Sequence, residues 1–357
     1  DLVDEWQLAP AIWDEVRHHV DDDSANKGQW ILTGSSTPLN ENRPNHSGAG
    51  RIGRIRMNPL TLHESGLSTG AVSLSGLFEH KFAAAKSEIS TQMLLDTVCR
   101  GGWPEAVALP VSDAQILIRE YMRLTLTESV PRQGKDPDVA RRLLDSLARN
   151  ISQAVTFKTL RKDMYGTEEN LDDFISERTI SGYTAMFENM FVIDPIKGWV
   201  PPARDPKRLQ TKARRYFADP SIAAAMLGMS PAALIGDWQT FGFLFENLCI
   251  RDLLVYARSL LDIGIEPVRY YHDDSGLECD AIIELSDGRW GGIEIKSSED
   301  KVPEAAANLC RLKDKLLRNP SARTREPEFL AVLVGVGEFA YQRDDGVYVI
   351  PVGVLGA

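Results

Sequence analysis

Three charged residues in the last third of the sequence have the types and spacing of a metal-dependent phosphodiesterase site. Glu294 and Lys296 are two residues apart, so a strand would point both to one face while Ile293 and Ile295 point into the core. Asp280 lies on the preceding predicted strand. Two carboxylates at one sheet edge can hold Mg²⁺ through oxygen ligands, and a neighbouring ammonium can orient a water or stabilise a pentacovalent phosphate.

A hairpin must bring these groups together. Asp287-Gly288 is a good two-residue turn signal, but a tight turn there pairs Glu294 with Ala281 and puts Asp280 on the wrong face. A one-residue bulge at Gly291-Gly292 would correct the register, because paired glycines are where a strand tolerates one. We therefore expect a bulge at these glycines.

The elements around this hairpin are predicted in the order helix, three strands, helix, strand. The predicted segments are a helix Phe241–Leu261 carrying Glu246, strands Val268–His272, Glu278–Leu285 and Trp290–Ser297, a helix Pro303–Leu317, and strands Phe329–Val336 and Val347–Val352. This order resembles the restriction-endonuclease-like fold, whose motif is Asp, a spacer, then Glu-x-Lys. The resemblance implies that Asp280, Glu294, Lys296 and Glu246 form its catalytic site, with Asp280 and Glu294 as metal ligands.

The same residues also have a plain structural interpretation. Glu294 and Lys296 can form a surface ion pair on an edge strand, Asp280 can mark a strand start, and Glu246 can lie on a solvated helix face. For activity, as opposed to fold, the two interpretations stay open.

A second constellation lies at the N-terminus. Leu2-Val3-Asp4-Glu5 resembles a Walker B motif, in which an apolar strand delivers an Asp to Mg²⁺ and the following Glu polarises the attacking water. Thr33 and Ser35, after a predicted buried strand, resemble the sensor that contacts the γ-phosphate in AAA-type ATPases, and Arg51 is a candidate arginine finger. Taken singly, these residues also fit a turn, a helix N-cap region and a solvated arginine.

The middle of the chain is predicted to be helical, with a break at Gly101-Gly102-Trp103-Pro104. Short helices followed by a strand pair, Met190–Ile196 with Trp199-Val200, suggest a winged-helix module with a packing or homo-oligomer role.

Basic stretches at 204–215 and 311–325 are a candidate phosphate-binding face, although solvated charge is the default interpretation.

Several segments together resemble the bacterial AAA-type ATP-binding proteins with a C-terminal domain of unknown function 4143. They are Asp4-Glu5-Trp6-Gln7, Ile31-Leu32-Thr33-Gly34-Ser35, Gly48-Ala49-Gly50-Arg51 with Pro59-Leu60, Arg100-Gly101-Gly102-Trp103-Pro104, Phe217-Ala218-Asp219-Pro220 and Phe245-Glu246-Asn247. In that family a phosphate loop ending Gly-Lys-Thr or Gly-Lys-Ser precedes the Walker B strand, and this sequence contains none. We expect an N-terminal truncation; a degenerate ATPase is the alternative. ATP is a cofactor only if the missing loop is present.

The predicted architecture is α/β in three parts. Residues 1–75 are a partial AAA-type (P-loop NTPase) lobe lacking the phosphate loop, 76–215 a helical and winged-helix region, and 216–357 a restriction-endonuclease-like domain. The composition of the 357 residues, 43% hydrophobic and 25% charged, agrees with two or three globular domains.

Composition also limits the class of protein. No apolar run approaches the roughly 18 residues of a membrane span and no signal peptide opens the chain, so we expect a cytoplasmic protein without a membrane partner. The four cysteines show no CxxC pair, which argues against a zinc ribbon or a disulfide framework. The net charge of −11 argues against attraction of the whole protein to nucleic acid, yet one basic face on an acidic body is compatible with it.

The leading hypothesis is a nucleotide-regulated protein that acts on nucleic acid through a magnesium-dependent phosphodiesterase. Besides Asp280 and Glu294, Asp4 is a predicted Mg²⁺ ligand. The alternative is a non-catalytic interaction module that uses the nuclease fold as a scaffold.

Overall fold

The computed structural model of the protein describes residues 1–23, 25–35, 48–166, 175–201 and 212–357. Its strands are, in chain order, β1 (Leu2–Val3), β2 (Ile31–Leu32), β3 (Val72–Ser73), β4 (Ala85–Lys86), β5 (Ile193–Ile196), β6 (Arg214–Phe217), β7 (Arg269–His272), β8 (Glu278–Glu284), β9 (Trp290–Ser298), β10 (Phe329–Val336), β11 (Phe339–Gln342), β12 (Tyr348–Pro351) and β13 (Leu355–Gly356). Its α-helices are α1 (Ala11–Asp22), α2 (Leu74–Phe78), α3 (Thr91–Arg100), α4 (Val111–Leu124), α5 (Val130–Arg132), α6 (Pro137–Arg149), α7 (Phe157–Tyr165), α8 (Glu177–Asn189), α9 (Pro220–Met226), α10 (Pro231–Gly236), α11 (Trp238–Arg258) and α12 (Val302–Arg318). The protein is therefore mixed α/β.

A seven-stranded sheet in the order β4-β11-β12-β10-β9-β8-β7 forms the centre of the C-terminal part. β10 lies between β9 and β12 and is parallel to both, whereas β8 lies between β7 and β9 and is antiparallel to both. β10 consists of the run FLAVLVGV and is buried at all but its last residue. Such continuous apolar runs are typical of strands that are covered on both faces.

Two long helices cover the two faces of this sheet. Leu333 of β10 and Ile295 of β9 belong to the core cluster that contains α11, whereas Val332 and Val334 belong to the cluster that contains α12. Because successive residues of a strand point to opposite faces, α11 and α12 lie on opposite sides of the sheet. The predicted order of helix, three strands, helix and strand is confirmed.

The predicted hairpin of the middle region is wrong in its partner. β5 pairs antiparallel with β6, which follows it by 17 residues, and not with Trp199-Val200. The N–H of Trp199 instead donates to the carbonyl oxygen of Tyr270 on β7. The proposed boundary between residues 215 and 216 falls inside β6. The helix break at Gly101 is confirmed: α3 ends at Arg100, and Gly101 has a φ of 78°.

Two short strands between residues 72 and 86 pair with strands of the C-terminal part of the protein. β4 pairs with β11 and so forms one edge of the seven-stranded sheet, and β3 pairs with β13 at the end of the chain. The segment between residues 72 and 86 therefore contributes to the same structure as residues 329–356.

The N-terminal segment contains a parallel pair, β1 with β2, and the helix α1. α1 buries Trp13 and Val16, which lie three residues apart on one face of the helix. The prediction that the second strand is buried is wrong, because Ile31 is 60% exposed and Leu2, opposite it, is 67% exposed. Arg51–Met57 forms no regular strand.

Candidate active site

The turn between β8 and β9 sets the register of the predicted catalytic residues. Gly288, the last residue of a three-residue loop, has a φ of 85°. This is the geometry of a type I turn followed by a left-handed residue, and it shifts the pairing by one residue relative to a two-residue turn. Ala281 therefore pairs with Ile293, so Asp280 lies level with Glu294.

The expected bulge at Gly291-Gly292 is wrong. Both glycines lie in regular pairs, with Ile283 and Ile282 respectively. Gly291 is required for another reason: a Cβ at this position would lie 2.3 Å from the ring of Phe329 on the neighbouring β10. The absence of a side chain thus allows an aromatic ring to cross the strand.

An irregularity does occur at Asp280, but between β7 and β8. Arg269 pairs with Ile282 and Tyr271 with Cys279, so two residues of β8 lie opposite one residue of β7. The carboxylate of Asp280 accepts the backbone N–H of Ile295 at 2.9 Å. At the end of the β8–β9 ladder, the Asp280 carboxylate thus accepts the hydrogen bond that a main-chain carbonyl would otherwise accept. This hydrogen bond holds Asp280 against the Glu294-Ile295-Lys296 segment.

The predicted triad is brought together in this place. Lys296 Nζ lies 2.6 Å from a carboxylate oxygen of Glu294 and 3.4 Å from one of Asp280. Asp280 and Glu294 are buried, and the side chain of Lys296 is 28% exposed. The simple interpretation as an exposed surface pair does not fit this burial.

Glu246 of α11 reaches the same cluster, and it has partners that the sequence did not indicate. Tyr216 of β6 donates its hydroxyl to Glu246 at 2.6 Å. The guanidinium of Arg214 lies 3.8 Å from Glu246, 3.4 Å from Asp280 and 2.7 Å from Glu278. Arg214 was visible in the sequence only as one member of a basic stretch.

The electrostatics of the cluster follow from burial and from the like charges of its carboxylates. Burial raises the pKa of Glu294 and of Glu246 above the usual range, and the charge of Asp280 adds to both effects. Burial opposes ionisation of Asp280 as well, but Lys296 and Arg214 outweigh it and lower the pKa of Asp280. The site therefore keeps one firmly ionised carboxylate beside two that ionise less readily.

The donor set fits a divalent cation in its chemistry. Among the described residues, the four carboxyl groups of Glu246, Glu278, Asp280 and Glu294 outnumber the cationic side chains of Arg214 and Lys296 beside them, and Glu278 also lies 3.3 Å from His272. Carboxylate oxygens are the ligands that a hard cation prefers. In the arrangement described, the carboxylates point at these two side chains. Over the described ranges, no three His, Cys, Asp or Glu side chains converge on one position suited to a metal ion.

The N-terminal constellation is also assembled, except for Arg51. Thr33 donates a hydrogen bond to Asp4, and Ser35 donates to Glu5 at 2.9 Å. Arg51 instead pairs with Asp21 of α1 at 2.6 Å. The four polar residues thus lie where two parallel strands end, whereas Arg51 has a partner on a helix.

Part of the predicted basic face can be located. Residues 204–211 lie outside the described residues. Arg215 stacks over Phe157, with its guanidinium carbon 4.7 Å from the ring centre. Arg311, Lys315 and Arg318 of α12 line one surface pocket. Lys315 also pairs with Asp273 at 2.5 Å.

A buried ionic junction connects the remaining motif segments. Arg251 of α11 lies 2.7 Å from both Asp219 and Asp252. Asp252 accepts the backbone N–H of Leu62, and Asp219 accepts that of Gly102, each at 2.9 Å. One arginine thus organises three chain segments that are far apart in sequence.

In the described parts of the chain, no helix combines the length and apolar character that crossing a membrane requires.

The fold is that of a mixed α/β protein with one polar cluster at the N-terminus and one in the C-terminal part. Residues 2–66 match the family model of an AAA domain, residues 91–233 a domain of unknown function (DUF8612), and residues 241–355 a domain of unknown function (DUF4143). No curated protein and no solved structure matches the chain. The first and last of these family matches support an AAA-type ATP-binding protein that carries DUF4143, and the AAA match suggests nucleotide binding.

Proposed function

We propose that this protein cleaves phosphodiester bonds of nucleic acid with a divalent cation, under control by a nucleotide. The observation that carries the proposal is the convergence of Asp280, Glu294, Lys296 and Glu246, which two strands and a helix bring into one buried cluster. The restriction-endonuclease-like character of the C-terminal domain is part of the proposal. Perturbed carboxylates beside a lysine are typical of functional sites.

In this proposal Asp280, Glu294 and Glu246 would turn from Arg214 and Lys296 to hold Mg²⁺, and the ion would lower the pKa of a water and neutralise charge on a phosphate. The protein's own residues supply the rest. The N–H of Ile295 fixes the orientation of Asp280. Lys296, partly exposed at the edge of the cluster, carries its charge where a phosphate oxygen can approach, and the favourable interaction grows as negative charge develops on that phosphate.

Control by a nucleotide is supported by contacts that join the AAA-matched segment to this site. Arg56, which lies in that segment, forms a two-pronged ion pair with Asp194 of β5. Asp194 pairs with Tyr216 of β6, and Tyr216 bonds to Glu246. A continuous chain of contacts thus leads from the AAA segment to the carboxylates. ATP binding of this type uses a Gly-Lys-Thr or Gly-Lys-Ser loop, and the 357 residues contain neither sequence.

The test compares cleavage of single- and double-stranded DNA and RNA by the wild type, Lys296→Ala and Lys301→Ala in Mg²⁺ or Mn²⁺. Lys301 lies just beyond β9 and is exposed, so it is a matched control. We expect Lys296→Ala to lose cleavage by about 10²-fold or more, as for other preorganised charge stabilisers, and Lys301→Ala to keep it. Absence of cleavage in the wild type, or full activity of Lys296→Ala, would refute the proposal.

A scaffold without catalysis is a second candidate, because Arg214 and Lys296 already neutralise part of the carboxylate cluster. Calorimetric titration with Mn²⁺ separates the two functions. A catalytic site binds Mn²⁺ and loses that binding in Asp280→Asn, whereas a scaffold shows no binding that depends on Asp280.

A further inference from the structure

Arg214 occupies the centre of the candidate active site as a built-in cation. Its side chain is only 7% exposed, and its guanidinium lies within 4 Å of Glu246, Glu278 and Asp280. It also stacks on Tyr270, with 4.5 Å between the guanidinium carbon and the ring centre. Two of its three carboxylate partners, Glu246 and Asp280, are those assigned above to a divalent cation.

We propose that Arg214 competes with the divalent cation for Asp280 and Glu246, so that the arrangement described is a closed state of the site. The proposal rests on the proposed function, since it concerns the same metal. A guanidinium and a divalent cation cannot both lie between two carboxylates at these distances, because their like charges repel strongly in a buried place. Metal binding therefore requires Arg214 to withdraw.

The position of Arg214 in the chain suits such a role. It begins β6, a short strand that pairs only with β5 among the described residues and is not part of the seven-stranded sheet. Moving it would therefore leave the strands that carry Asp280 and Glu294 paired. Its neighbour Arg215 points away from the site, towards Phe157, and so offers a matched control on the same strand.

The experiment measures Mn²⁺ binding by electron paramagnetic resonance in the wild type, Arg214→Gln, Arg215→Gln and Asp280→Asn. If Arg214 competes, Arg214→Gln lowers the Kd for Mn²⁺ by about tenfold or more, which corresponds to removing one nearby repulsive charge at an intermediate dielectric. Arg215→Gln keeps the wild-type Kd. Equal or weaker binding by Arg214→Gln, together with loss of binding in Asp280→Asn, would overturn the competition and leave the metal site intact.

Absence of Mn²⁺ binding in both the wild type and Arg214→Gln would overturn the metal site and the competition together. Because Arg214→Gln removes a buried charge and could unfold, a measurement on the wild type provides an independent test. Saturating Mn²⁺ should accelerate amide hydrogen exchange in Arg214–Phe217, since the guanidinium releases its partners. Unchanged or slower exchange in that strand contradicts the competition.

Discussion

The buried junction around Arg251 gives the sharpest stability prediction. Its side chain is 3% exposed and bridges Asp219 and Asp252, which are themselves buried. Substitution to methionine keeps the aliphatic bulk but leaves two buried carboxylates without a counter-charge. Breaking a buried ion pair from one side costs about 3–5 kcal/mol of unfolding free energy, and we expect Arg251→Met to fall in this range.

Urea denaturation followed by circular dichroism measures the loss, with Arg123→Met as the control. Arg123 pairs with Glu120 in a pair that is more than half exposed on both sides, so its removal should cost no more than about 1 kcal/mol. A loss below about 1 kcal/mol in Arg251→Met, or equal losses in the two variants, would refute the argument from burial.

The pH dependence of the same variant provides a second check. Burial raises the pKa of Asp252, and Arg251 opposes that effect. Without the arginine the folded-state pKa rises further above the unfolded value. A carboxyl of this kind stabilises the fold at low pH and loses that contribution as the pH rises through its folded pKa. The deficit of Arg251→Met should therefore be larger at about pH 7 than at about pH 5, and a pH-independent deficit would contradict this explanation.

Two further substitutions test a close backbone contact and a partly buried ion pair. Gly291→Ala should lower the free energy of unfolding by about 1–3 kcal/mol through overpacking, because its Cβ would collide with the ring of Phe329. The control Gly242→Ala lies at an open helical position and should be neutral or stabilising. Similar denaturation midpoints for both variants would contradict the close approach of Phe329 to Gly291. Burial would raise the pKa of Asp273, but Lys315 and Ser275 lower it more, so Asp273→Asn should be less stable than the wild type at neutral pH. Since a depressed folded pKa stabilises above the unfolded pKa, the difference in melting temperature should shrink as the pH falls below about 4, and a constant difference would count against the ion pair.

The sequence predicted the residues of the candidate site more fully than the turn and strand register that position them. Periodicity predicted that Glu294 and Lys296 share a face, and the structure brings Asp280 to them. The predicted bulge at Gly291-Gly292 was wrong, because Asp-Gly occurs in both two-residue and three-residue hairpin loops. Only the observed pairing of the strands shows which loop forms. The role of Gly291 depends on Phe329, which is distant in sequence, so no local pattern could indicate it.

Arg214 shows the same limit for charges. A basic residue in a basic stretch is by default solvated, and only its pairing through β6 and the approach of α11 show that it is buried among carboxylates. The partner of β5 was missed for a related reason. Local patterning favoured a short hairpin, whereas the strand that actually pairs lies beyond a long intervening segment.

The small edge strands β3 and β4 bear on how this protein can be divided for study. A fragment limited to residues 241–355 would lack β4 beside β11, β3 beside the chain end and the strand that carries Arg214. Its sheet would have a bare edge, which invites pairing between molecules, and its carboxylate cluster would lose a buried counter-charge. Family boundaries on this chain therefore do not coincide with units suited to separate expression, and limited proteolysis between residues 72 and 86 should loosen the C-terminal sheet as well as the segment that is cut.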